Sequence, residues 1–159
     1  MLDDIKQVLR HDEGAIEFFM LMHRILHFWD DLVDRDKDLT DSEINAAMWT
    51  ALIDLPSSQF YQQNFYALKP VLTTAIANWM ASTEFERNPT EKRLQIAFIA
   101  RSDYINILLQ CAYLVGGRDW LLHVTPIVRE RWTSEDFAAY EKNLTEEAVA
   151  RTAAMVATQ

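Results

Sequence analysis

The sequence predicts an all-α fold, a single-domain multi-helix bundle over residues 1–159. Three observations carry that expectation. Apolar residues recur at three- and four-residue spacing along most of the chain. The breaks between these stretches hold helix-starting and helix-stopping residues. Only three glycines and four prolines interrupt the whole length. Half the residues are hydrophobic, enough for a chain of this size to bury one core without a disulfide or a metal to staple it.

Taken in order, a short helix is expected near residues 2–10 and a longer one over 13–34, closed by the charged turn Asp34-Arg35-Asp36-Lys37-Asp38. Thr40 and Glu43 have the spacing of a capping box, in which each side chain satisfies a free backbone N–H of the first turn. A helix over 41–55 follows, with Pro56 as its stop. Ser57 is placed to cap a long helix over 58–87, kinked or split at Pro70, and Asn88-Pro89-Thr90 ends it. The stretch 90–115 is apolar nearly all round and closes at Gly116-Gly117, as a helix does when a left-handed residue ends its last turn. It is the expected central core helix. A helix over 119–131 with a break near Pro126, and a last one over 134–155 with Thr133 and Asp136 as its cap, complete the bundle. No internal repeat and no shift in composition marks a second domain.

Composition then narrows the function. A net charge of -9 and scattered Lys and Arg argue against nucleic acid as the main partner, because neutralising phosphates needs clustered cations. Glycines at 14, 116 and 117 make neither a GxGxxG turn nor a Walker A loop. The single cysteine, Cys111, lies in an apolar run and has no partner for a disulfide or a zinc cluster, which fits a reducing cytoplasm. The start Met-Leu-Asp-Asp-Ile-Lys lacks the features of a signal peptide, and no apolar run reaches the length of a membrane span. A soluble, cytoplasmic protein is expected.

The segment from His23 to Asp34 is the most informative. At about 100° per residue, His23, His27, Asp30 and Asp34 fall within roughly 60° of one another. Phe19, Leu26, Trp29 and Val33 flank this stripe on one side, while Glu13, Glu17, Arg24, Asp31 and Arg35 form the solvated face on the other. A carboxylate at such an edge is partly dehydrated yet still reaches a cleft. Two carboxylates one turn apart suit Mg2+ or Mn2+, particularly with a phosphate to complete the shell, and the histidines extend the choice to iron or zinc. The helix C-terminus disfavours acidic residues, so a bound cation would explain their placement, with Arg35 and Lys37 as the alternative compensation. Either histidine also serves as an ordinary hydrogen-bonded residue at the core edge.

A second polar stripe runs along the expected core helix, where Ser102, Asn106 and Gln110 recur every fourth position with Asp103 beside them. Buried polar groups cost free energy unless each finds a partner, so an inter-helix network or a ligand must satisfy them. Asn78, beside Trp79 and among the small residues Thr74, Ala77, Ala81 and Ser82, is a third candidate, with close helix packing as its alternative.

Asp30-Asp31-Leu32-Val33-Asp34 resembles the DDxxD motif at a helix end in class I isoprenoid (terpene and prenyl) synthases. Ser102-Asp103 with Asn106 and Gln110 is similar in spacing to that family's second metal motif. The resemblance implies a minimal isoprenoid-synthase-like bundle in which the two motifs face each other and hold magnesium ions that clamp a diphosphate. Asp30 and Asp34, with Asp31 nearer the solvated side, would belong to the first motif, and Ser102, Asn106 and Gln110 would stand in for the second.

Two functions follow as expectations. In one, Asp30 and Asp34 hold a divalent metal opposite Asp103, Asn106 and Gln110, with a phosphorylated small molecule in the apolar interior and the metal acting as Lewis acid. All-α nucleotide pyrophosphatases and HD-type enzymes share that chemistry, and His11-Asp12 is an HD doublet, although no histidine precedes it. In the other, the chain is a non-catalytic acidic module that binds a protein partner, with the Asp cluster serving solubility or electrostatic complementarity, and its five tryptophans and eight phenylalanines can supply a surface for a second copy as readily as a core. The discriminating feature is whether Asp30, Asp34, Asp103 and Asn106 converge on one cleft.

Overall fold

Residues 2–34, 37–132 and 136–146 are described by the computed structural model, and every regular element among them is helical. The expected all-α bundle is the observed fold. α1 (Leu2–Val8) is followed by a tight turn in which Arg10 and His11 take positive φ angles of 53° and 58°. Asp12 then starts α2 (Glu13–Asp34), its Oδ1 accepting the Ala15 N–H at 2.8 Å. α3 (Asp41–Trp49) opens with the expected capping box, Thr40 and Glu43 each bonded to the other's backbone N–H.

Pro56 does not end that helix. A π-helical turn (Thr50–Asp54) and the short α4 (Leu55–Ser57) carry it on, with Pro56 in the first turn of α4. The chain leaves the helix at Ser58, whose ψ is 121°. Ser58, rather than Ser57, therefore caps α5 (Gln59–Arg87), accepting the Tyr61 N–H.

α5 passes through Pro70 without splitting, and the helix that holds Pro126 passes through it without a break. A proline frees the carbonyl four residues before it. Here those carbonyls belong to Tyr66 and Leu122, both exposed residues, where water replaces the lost bond. Thr90 caps α6 (Glu91–Ala100), but the expected single helix over 90–115 is interrupted by a 3-10 turn (Arg101–Asp103) before α7 (Tyr104–Trp132). Asp103 bonds side chains on α5 and α7 there, an alternative to regular helix geometry that short polar residues favour. The central core helix is consequently the first half of α7, with Ile105, Ile107, Leu108, Cys111 and Ala112 all buried, while α6 leaves Ile96 and Ile99 exposed.

Gly117 closes that half as expected, with φ 74° and ψ -170°, and the chain doubles back. In an unbroken helix Asn106 and Arg129 would lie about 35 Å apart. Instead the Arg129 guanidinium donates to the Asn106 Oδ1. Asp136 caps α8 (137–146) by accepting the Ala139 N–H at 2.8 Å, whereas Thr133 and the rest of the expected last helix lie outside the described residues.

The core joins α1, α2, α5 and α7 around Ile5, Phe18, Phe19, Leu68 and Leu108. Phe18 stacks on Tyr61 with ring centres 5.6 Å apart. Among the described residues no helix is long and apolar enough to cross a membrane. Trp120 pins α1 to the second half of α7: its Nε1 donates to the Val8 carbonyl at 2.9 Å, and Arg10 lies over its ring. A Cβ at Gly116 would meet that ring at 2.3 Å. Gly116→Ala is therefore expected to lower the stability by about 1–3 kcal/mol through overpacking, read as a lower urea midpoint.

Candidate functional site

The polar stripe of α2 faces a cavity of about 190 Å³ enclosed by α2, α5, the 3-10 turn and α7. Its walls are mostly apolar: Phe19, Met22, Leu26, Ala75 and Ile107. The polar groups reaching it are His23, His27, Asp30, Arg101, Tyr104 and the Trp79 indole. Helical spacing explains their company, since His23, His27 and Asp30 occupy successive turns of one face. Trp79 is held by stacking on Trp29, ring centres 4.1 Å apart, and its Nε1 donates to Asp30 Oδ1 at 3.3 Å.

His23 and His27 approach each other edge to edge, Nε2 to Nε2 at 3.1 Å. Burial, with the neighbouring His27, lowers the His23 pKa below the ordinary imidazole value. Both rings also line a second, more open groove of about 430 Å³ between α2 and α3, together with Arg24, Asp31, Lys37 and Glu43. The pair is thus a partition between an inner cavity and an outer groove.

Arg101 organises the charge. Its guanidinium lies 3.2 Å from Glu86 and 3.9 Å from Asp30, and it sits over the Tyr140 ring. Burial alone would lower its pKa, but the combined pull of Glu86, Asp30, Tyr140 and Asp34 raises it above the ordinary value. The Tyr140 hydroxyl donates to Glu86 Oε1 at 2.5 Å, and burial and that carboxylate push the phenol's pKa well up. Tyr104 is also raised, by burial, with Arg101 opposing. Asp30 and Glu86 therefore share the Arg101 guanidinium, and Asp34 acts on it through its charge.

The second stripe is placed elsewhere. Asp103 accepts from Asn78 Nδ2 at 2.5 Å and from Asn106 Nδ2 at 2.8 Å, and Asn106 in turn accepts from Arg129. Ser102 donates to the Phe98 carbonyl, and Gln110 is half-buried on α7. None of Ser102, Asp103, Asn106, Gln110 or Asn78 lines the inner cavity. Asn78, Asp103, Asn106 and Arg129 form an inter-helix network that ties α5 and both halves of α7 to the 3-10 turn. Of the acidic cluster, Asp30 alone lines the cavity; Asp31 pairs with Lys37 at 2.5 Å on the outer groove, and Asp34 acts on Arg101 through its charge.

Arg101, Glu86, Tyr104 and Tyr140 were not singled out by the sequence reasoning. The available signal was Arg101 itself, a permanent cation directly after the apolar run Ala97-Phe98-Ile99-Ala100, which calls for a carboxylate partner where it is buried. Among the described residues, no group of three or more His, Cys, Asp or Glu side chains is gathered in a way that suits a metal ion. Asp103 and Asn106 bond to each other, and neither lines the cavity that Asp30 lines. Compared with protein-family models, curated proteins and solved structures, the chain matches none.

Proposed function

We propose that this chain binds a small molecule in the cavity between α2, α5 and α7, with an apolar body against Phe19, Met22, Leu26 and Ile107 and a cationic or hydrogen-bond-donating end at Asp30 and the histidine pair. The observation that carries this is the cavity itself: apolar walls with a few convergent polar groups are the usual form of a ligand site. Its volume suits one ring, since an apolar cavity of about 150 Å³ takes benzene. Aromatic faces and the surplus of carboxylate over guanidinium favour a cation over an anion.

A phosphorylated ligand, the expectation drawn from the isoprenoid-synthase resemblance, would need a divalent cation brought with it. Arg101 is already shared among carboxylates and has little charge to offer a phosphate. The same surplus of negative charge would draw Mg2+ or Mn2+ toward Asp30, and this is the one feature that favours the metal version.

The test is a set of melting curves with phenethylamine, with benzoate, and with magnesium plus pyrophosphate. The amine is expected to raise the melting temperature in proportion to the logarithm of its concentration and to change tryptophan emission through Trp79. Ala75→Leu, which fills the cavity from α5, is expected to abolish the shift without loss of fold. A response to magnesium plus pyrophosphate alone would replace the amine with the metal version. Curves unmoved by all three would end the cavity proposal in favour of a protein-binding module, for which Met48, Trp49, Leu52 and Ile53 are exposed on the α3 and π-helical segment.

A further inference from the structure

We infer that His23 and His27 form a two-imidazole site for a borderline divalent transition metal such as zinc or nickel, set in the partition between the inner cavity and the outer groove. The two ring centres are 4.2 Å apart and the ring planes inclined at 57°, yet the Nε2 atoms are only 3.1 Å apart. The nitrogens are closer than the ring centres, so the two Nε2 edges rather than the ring faces approach each other. Two Zn–N bonds of about 2.0–2.1 Å at a near-tetrahedral angle need nitrogens roughly 3.3 Å apart. The observed bite is within a few tenths of an ångström of that, set by the spacing of four residues on one helix, and a turn of the two rings about their side-chain torsions aims both lone pairs at one ion.

The same geometry holds a single proton, one Nε2–H donating to the other nitrogen's lone pair. Proton and metal therefore compete for one position. Imidazole binds a metal as the neutral ring, through a nitrogen lone pair. Imidazole prefers zinc, nickel or copper over magnesium, so this site differs in chemistry from the carboxylate site expected from the DDxxD resemblance.

The charged groups lining the two compartments balance, Asp30, Asp31 and Glu43 against Arg24, Lys37 and Arg101, so no net charge opposes an incoming ion. The inner side presents Asp30, Arg101 and Tyr104, and the outer side Arg24, Asp31, Lys37 and Glu43. Asp31 offsets Lys37, and Arg101 is outnumbered by Asp30 and Glu86. His27 is exposed, so an ion enters from the outer groove without opening the core. With two protein donors, the remaining coordination positions are left to water or to a molecule in either compartment. The inference does not rest on the small-molecule proposal, because metal binding is measured with no organic ligand present.

The experiment is calorimetric titration of the full chain, free of any histidine tag, with zinc, nickel and, for comparison, magnesium. One equivalent of zinc or nickel is expected to bind, with no heat from magnesium at the same concentration. His27→Gln, at an exposed position that tolerates the change, is expected to weaken zinc binding roughly a hundredfold, the order of a lost chelate partner. His23→Gln is expected to match it, while His11→Gln and His123→Gln leave the affinity unchanged. Affinity should fall as pH drops through the imidazole range, protons displacing the metal. Zinc binding equal in His27→Gln and the native chain, or no zinc binding by the native chain at millimolar concentration, would overturn the inference.

Discussion

Arg101→Leu is expected to lower folding stability by about 2–3 kcal/mol. Removing one partner of a buried ion pair typically costs about 3–5 kcal/mol, because the remaining charge is left in a poor solvent. The Arg101 side chain is 32% exposed and Glu86 only 12%, so water relieves part of that penalty and the lower figure follows. The change leaves Asp30, Asp34 and Glu86 without their shared cation and removes the cover over Tyr140. Arg101→Lys keeps the charge but reaches one carboxylate rather than two, and an intermediate loss is expected. The measurement is the urea midpoint of each variant, with Glu86→Leu and the double variant completing a cycle. The double variant should be at least about 1 kcal/mol more stable than the sum of the single losses implies. Strict additivity would mean that Arg101 and Glu86 act independently.

The second large effect lies at alkaline pH. Burial, with Asp12 nearby, pushes the Cys111 thiol up to about 12 from 9.0. Tyr104 and Tyr140 are raised from 10.0, chiefly by burial. All three hold their protons more tightly folded than unfolded. Below pH 9 both states are protonated and the contribution is intact. As pH rises past the unfolded values, 9.0 for the thiol and 10.0 for the phenols, the unfolded chain ionises first and stability falls, for Cys111 by about 1.4 kcal/mol per pH unit. For Cys111 alone this reaches roughly 3–4 kcal/mol by pH 12. Cys111→Ala is expected to cost about 1 kcal/mol at neutral pH through lost packing. Its stability should then decline less steeply between pH 9 and 11, by about 1.4 kcal/mol per unit. Urea midpoints at several pH values give both slopes, and parallel slopes would remove Cys111 from the account.

What the sequence made legible is local. Thr40 with Glu43 and the Gly116-Gly117 stop were readable because a cap or a left-handed residue acts within one turn. The facing of His23, His27 and Asp30 was readable because helical period fixes their relative angle. The partner of Asp30 was not, because the meeting of residues 30, 86 and 101 depends on how three elements pack. The same holds for Pro70 and Pro126, whose effect turns on whether the freed carbonyl meets water, something no spacing reveals. Asp103, Asn106 and Asn78 carried the right chemistry for a ligand set, yet their hydrogen bonds close on one another and on Arg129. In one dimension a network and a site look alike.

The docking of α1 bears on the order in which the chain assembles. Its fastenings, Trp120 to Val8 and Arg131 to Asp4, join residues separated by 112 and 127 positions. Closing a loop of that length costs about 4 kcal/mol more in chain entropy than closing a single-residue one. The contacts between neighbouring helices from α2 to α7 close much shorter loops, with the doubling back at Gly117 among them. Helices α2 to α7 can therefore condense first, with α1 arriving afterwards as a latch on a nearly finished bundle. Release of α1 would uncover Trp120, whose indole it holds through the Val8 carbonyl, together with the neighbours of Ile5 and Leu9 in the core.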